Sequence, residues 1–268
     1  MIVKFNFLLV FATNLFGILL FTWPLYINPD NAPLRDLSDA TWISLALSLI
    51  ALVVITSSIS AKLMDSKTVA LVAVLVALIA ALRLLGAGAI GLEPMWFLLI
   101  LAARAFGVEI GYAIAVVSMI VSAIITGGIG PWLTFQILAA SWIALGVKII
   151  PKRIKGVPEI AALSSYGVIA ALGYGALMDL QLWPWLLGTD TQLSYQPGAA
   201  VIENLTRFLT FHFATAMAWD IPRAILTALL IAITGRTILI ALRRANARMT
   251  AISSWQIASE RVKVQREV

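Results

Sequence analysis

Cysteine is absent from the sequence, and histidine occurs once, as His212. The first absence excludes disulfide bridges, thiolate metal sites and cysteine nucleophiles; the second argues against a metal centre assembled from several imidazoles. Charge is scarce as well. Asp, Glu, Lys and Arg together supply 12% of the 268 residues, about half the share of an ordinary soluble chain. HExxH, GxSxG and P-loop patterns are missing, and no carboxylates pair at one depth of an apolar segment. The chain is therefore expected to be neither an enzyme nor an ATPase, and to need no cofactor or metal.

What the sequence has in abundance is apolar length: 61% of residues are hydrophobic and mean hydropathy is +0.98. The apolar runs recur along the whole chain, which predicts an all-α integral membrane protein with one membrane domain. The net charge of +6 does not point to nucleic acid, because the basic residues stand at the ends of apolar runs rather than along one aromatic-rich face. They are topology signals, and they can be counted.

Residues 5–26 form a first span, long enough to be a retained helix, ending at Trp23, Pro24 and Tyr26. A polar loop, Asn28 to Asp39, has Arg35 as its one cation, whereas Lys62 and Lys67 flank the far end of the second span, 41–60. The third span covers 68–85. Between Glu93 and Arg104, Met95 to Ala103 offers nine clean apolar residues, too few to cross by length alone. Parity resolves it. Lys148, Lys152, Arg153 and Lys155 mark a second cytoplasmic loop, so an even number of crossings must separate it from Lys62 and Lys67. A short crossing near 92–105, followed by 107–126 and 132–149, satisfies that condition. Spans 159–183 and 207–233 complete a total of eight, with Arg236, Arg243, Arg244 and Arg248 beginning a basic tail over 236–268. Both termini fall in the cytoplasm, and the loops 86–94, 127–131 and 183–205 share the outer face.

Around those loops stand the candidate binding residues. Gly127-Gly128-Ile129-Gly130-Pro131 predicts a tight turn, with Trp132, Thr134 and Gln136 entering the next helix just below it. Arg83, Glu93 and Trp96 border the 86–94 loop, and Arg83 with Glu93 reads as a surface pair. Tyr174, Asp179 and Trp183 approach the third loop, which carries Tyr195. Asn204, Arg207, Phe208 and His212 gather on one stripe of the helix that leaves it. Sparse polar groups among aromatic walls suit a small polar organic molecule, although an aromatic belt and interfacial anchoring use the same residue types. Asp220 and Arg223, three apart, read as a structural ion pair past the midpoint of the last span. Ala70, Ala73, Ala77 and Ala81 form a small-residue face on the third span.

Five segments together resemble one family: VALVAVLVALIAALRLLGAG, GLEPMWFLLILAARAFG, ITGGIGPWLTFQILAASW, SSYGVIAALGYGALMDLQLWPW and ENLTRFLTFHFATAMAWDIPRA. The chain is similar to the substrate-binding S components of energy-coupling factor (ECF) transporters, in their actinobacterial form, over about residues 68–245. The resemblance implies a six-helix substrate-binding core, here 68–235, preceded over 1–67 by two extra helices that the usual S component lacks. It implies a bacterial cell membrane, capture of a vitamin or related micronutrient by the three outer loops, and partners in a T coupling subunit and two ATP-binding cassette ATPases. Ala73, Ala77 and Ala81 would face the T subunit. Cobalamin is the best-matched substrate, with flavins, pantothenate and pyridoxine-like compounds as alternatives. A proton-coupled secondary transporter using Asp179, Glu203 or His212, and a membrane scaffold with no substrate, are the competing readings.

Overall fold

The computed structural model of the chain describes residues 7–25, 66–86, 91–130, 132–186 and 191–266. Every regular element among them is helical. Helix α1 is Phe7–Thr22, followed by a 3-10 turn at Trp23–Leu25; α2 is Ser66–Leu85, α3 Met95–Phe106, α4 Val108–Thr126 and α5 Trp132–Gly146. A second 3-10 turn, Val147–Ile149, leads to α6, Val157–Leu186, then α7, Val201–Thr215, and α8, Met217–Arg266. The second predicted span, 41–60, and the loop before it lie outside the described residues.

Among the described residues, five segments are long and apolar enough to cross a bilayer: Thr68–Leu85, Val108–Thr126, Trp132–Ile149, Val157–Pro184 and Met217–Arg248. The chain is a multi-pass, all-α membrane protein. Helix α3 is the shortest α-helix among the described residues, at about 18 Å for its twelve residues against a hydrocarbon core of about 30 Å. It is held inside the bundle. Eight of its residues are buried, and it packs on α2, α4, α5, α6 and α8. A helix enclosed by other helices has no lipid thickness to match.

Helix α1 lies across α5. Phe21 packs edge-on to Phe135 with ring centroids 5.0 Å apart and is tilted against Trp142 at 5.3 Å. The Trp142 indole donates to Asn14 Oδ1. This polar contact between two apolar helices fixes their register, since an unpaired amide in such a setting is costly.

The last predicted span is corrected by the structure. Residues 207–233 are not one helix: α7 stops at Thr215, Ala216 forms a turn, and α8 begins at Met217, its amides of Trp219 and Asp220 bonding back to the Ala216 carbonyl. Pro222 supplies the reason, because proline lacks an amide donor and is best tolerated near a helix start. The break moves Asp220 and Arg223 from mid-span to the opening turns of a new helix. From there α8 runs 50 residues without interruption, about 75 Å.

Two layers of charge result. Glu159 and Asp179 are twenty residues apart on α6, and Arg223 and Arg243 twenty apart on α8, so each pair is separated by about 30 Å along its axis. One end of the bundle therefore carries Asp179 and Arg223, the other Glu159 and Arg243, at a spacing that matches the apolar core of a membrane.

Candidate functional site

At the first of these ends, Arg223 is the centre of a buried network. Its Nη1 donates to Asp220 Oδ1 at 2.5 Å and its Nη2 to Glu93 Oε1 at 3.2 Å. Glu93 in turn accepts from the Trp96 indole at 2.8 Å. Trp96 lies against Tyr174 with centroids 4.4 Å apart, and the Arg223 guanidinium sits 5.2 Å from the Tyr174 ring centroid, in cation–π range. The start of α3, α6 and α8 thus converge on one arginine. The surface pair expected between Arg83 and Glu93 does not form: Arg83 donates instead to Ser122 Oγ at 2.6 Å and Gln136 Oε1 at 2.7 Å.

His212 enters the network from α7. Its Nδ1 donates to Asp179 Oδ2 at 2.6 Å, and its Nε2 lies 3.8 Å from Asp220 Oδ2. Phe208 stacks on the imidazole at a 20° interplanar angle, so the ring is held both in plane and in orientation. Among the described residues, no hydrogen-bond partner reaches the buried Asp220 Oδ2 or Arg223 Nε. Leaving a buried polar atom unpaired costs about 1–3 kcal/mol, and more for a charged group. The mouth of the site is marked by exposure: the side chains of Glu93 and Asp179 are 26% and 24% accessible, against 2% for Asp220 and 7% for His212.

The close fit of α8 on α6 depends on Gly175. A Cβ there would come within 2.0 Å of both Asp220 carboxylate oxygens. Gly91, at φ +63°, performs the matching service for the incoming loop, since a Cβ on it would meet the Trp219 carbonyl at 2.0 Å. Sequence reading places Asp220 and Arg223 as an isolated structural pair; the structure keeps the pair and joins it to Glu93 and His212. Asp179, His212 and Asp220 bring ligand-type atoms within 4.8 Å of one another. With Nδ1 of His212 occupied by Asp179, only Nε2 and one Asp220 oxygen face each other, beside a guanidinium that competes with any cation.

Several other predicted contacts fasten the loop over residues 191–200. Asn204 mimics a peptide unit: its Nδ2 donates to Gln196 O at 2.9 Å while its Oδ1 accepts from Gln196 N at 3.0 Å. Trp183 donates to Leu193 O at 2.8 Å and packs on Tyr195 and Phe208. Arg207 binds Glu203 and the Gln192 carbonyl. These side chains hold the loop beside the charged network rather than adding charge to it.

The turn at Gly127 forms as expected. Gly127 caps α4 in the left-handed region, and the Gly128 amide bonds to Ala123 O. Trp132 folds back, its indole donating to Gly128 O at 3.2 Å, and it remains 37% exposed. Gln136 reaches the Arg83 group, whereas Gly128 and Trp132 bond to each other.

Sequence reading missed the opposite end of the bundle. Arg104 donates to Glu159 at 2.6 Å and to the carbonyls of Ile150, Pro151 and Ile154, and Arg243 grips the same Glu159 carboxylate at 2.5 and 3.0 Å. The signal was available: Arg104 ends an otherwise apolar short helix, and such a charge needs partners. In comparisons with known proteins, no family model matches the chain, and neither does any curated protein or solved structure.

Proposed function

We propose that this chain is the S component of an ECF-type transporter in a bacterial cell membrane, capturing a vitamin or related micronutrient for ATP-driven uptake. The observation that carries the reading is the Glu93–Arg223–Asp220–His212–Asp179 network, in which two buried charged atoms have no hydrogen-bond partner among the described residues, beside the rings of Trp96 and Tyr174. A preformed cluster of charged and polar groups beside aromatic rings is what a polar organic ligand requires. On the eight-span reading of the sequence, the positive-inside rule has this end facing outward and both termini in the cytoplasm. Cobalamin is the leading substrate.

Support for a coupling partner comes from α2. Ala70, Ala73, Ala77 and Ala81 are exposed, while Leu75, Val76, Ile79 and Ala80 on the other face are buried. Among the described residues the small-residue face is uncovered, as a docking surface for a T subunit and its two ATPases demands. The test is reconstitution of the purified chain with a T subunit and ATPases in proteoliposomes. ATP-dependent uptake of one member of a vitamin panel is the expected result, and no uptake of any would sink the proposal.

A second reading rests on His212 between Asp179 and Asp220, an arrangement able to relay a proton. A proton-coupled transporter predicts uptake driven by a pH gradient in vesicles that contain this chain alone. The same assay without ATPases separates the two.

A further inference from the structure

The end of the bundle opposite the candidate site holds a cavity of about 620 Å³, within the range that encloses a small ligand or a headgroup. Its wall is cationic. Lys148, Lys152, Lys155, Arg104 and Arg243 line it, with Glu109 the only carboxylate in the lining. Arg104 and Arg243 are satisfied by Glu159 behind the wall. The three lysines are different: each is exposed, and none makes a hydrogen bond or ion pair with any described residue. An excess of unpaired positive charge around a concave surface repels itself unless an anion occupies it.

Depth identifies the kind of anion. The lining takes Val108 and Glu109 from the first turn of one membrane-crossing segment, Val147 and Lys148 from the last residues of another, and Arg243 from near the end of a third. Three spans end here, so the cavity lies at the level where a bilayer changes from acyl chain to headgroup. Its flank is apolar, with Ile149 79% exposed beside Lys148.

We infer that this cavity binds a phosphate-bearing anion through Lys148, Lys152 and Lys155. The chemistry is that of a phosphate ester, whether it arrives as the headgroup of an anionic phospholipid or as a free phosphate compound. The proposal is independent of what the opposite end transports.

The experiment uses the full chain, delipidated in detergent and then embedded in nanodiscs of equimolar phosphatidylglycerol and phosphatidylcholine, with bound lipid counted by native mass spectrometry. A parallel arm titrates the detergent-solubilised protein with inorganic phosphate and glycerol 1-phosphate. The test variant is Lys148→Gln/Lys152→Gln/Lys155→Gln. The control variant, Arg236→Gln/Arg244→Gln/Arg248→Gln, loses the same charge from exposed positions outside the cavity. Each lysine beside an anionic surface is worth roughly fivefold in partitioning, so removing three lowers retention by about a hundredfold. Selective phosphatidylglycerol retention that the lysine variant loses and the control keeps identifies the lipid as the source. Saturable binding of the soluble phosphates with the same dependence identifies a free anion and equally supports the site. Binding that is unaltered in the lysine variant, equally lost in the control, or absent from both arms overturns the proposal. Replacing the three lysines by arginine preserves charge and is expected to restore binding.

Discussion

The replacement Gly175→Ala sets two physical effects against each other. Gly175 lies within α6, where alanine is the better helix former by about 1 kcal/mol. Judged by helix propensity alone, the variant is more stable than the natural protein. The structure requires the opposite. The new methyl carbon would sit 2.0 Å from both Asp220 carboxylate oxygens and 2.2 Å from the carboxylate carbon, far inside van der Waals contact, so the carboxylate and the methyl cannot both keep these positions. Asp220 must withdraw, which breaks its bond to Arg223 and turns its buried charge away from His212. Separating one partner from a buried ion pair costs about 3–5 kcal/mol. Subtracting the propensity gain leaves a net loss of roughly 2–4 kcal/mol.

For a chain of this size that loss lowers the midpoint of thermal unfolding by about 5–15 °C, readable by tryptophan fluorescence of the detergent-purified protein. The double variant Gly175→Ala/Asp220→Ala provides the internal control. Asp220→Ala should cost less in the Gly175→Ala background than alone, because the clash it relieves exists only there. A midpoint equal to or above that of the natural protein would refute the reasoning, and additive costs would show that the methyl and the carboxylate do not meet.

Other substitutions separate the roles of neighbouring residues. Asn204→Ala removes both bonds to Gln196 and is expected to destabilise by about 1–2 kcal/mol, seen as faster proteolysis of the 191–200 loop, with the Arg223 network unaltered. Glu159→Gln leaves Arg104 facing three carbonyls without its counter-charge and should cost about 3 kcal/mol or more, measured by the same unfolding assay. If Ala77→Leu leaves ligand binding by the isolated chain unchanged but abolishes ATP-dependent uptake, the exposed face of α2 is a coupling surface; full uptake by that variant would remove it from that role.

Local chemistry was the readable part of the sequence. The glycine turn after α4, the short helix α3, and the i,i+3 relation of Asp220 to Arg223 follow from residue types and spacings, and the structure contains all three. What could not be read is which distant segments meet. The Arg223 partner Glu93 lies 130 residues away, and Arg83 finds Ser122 and Gln136 because α2, α4 and α5 adjoin, a fact that no periodicity encodes. The depth of Asp220 was misjudged for a local reason: apolar side chains continue across the break at Ala216, and Pro222 reads equally as a kink within one span. Asn204 illustrates a third limit. An exposed amide that meets a ligand and one that completes a loop carry the same signature in sequence, and only the position of Gln196 distinguishes them.

The unbroken course of α8 has a mechanical consequence. Its opening turns hold Asp220 and Arg223, and its far half extends past Arg243 to Arg266. Arg243 is bound to Glu159 and Asn246 to the Ala105 carbonyl, so both ends of the bundle grip the rod, and the twenty residues from Asn246 to Arg266 continue for about 30 Å past the second grip. A shift of either grip along the axis is carried whole to those distal turns, because a continuous helix has no joint at which to absorb it.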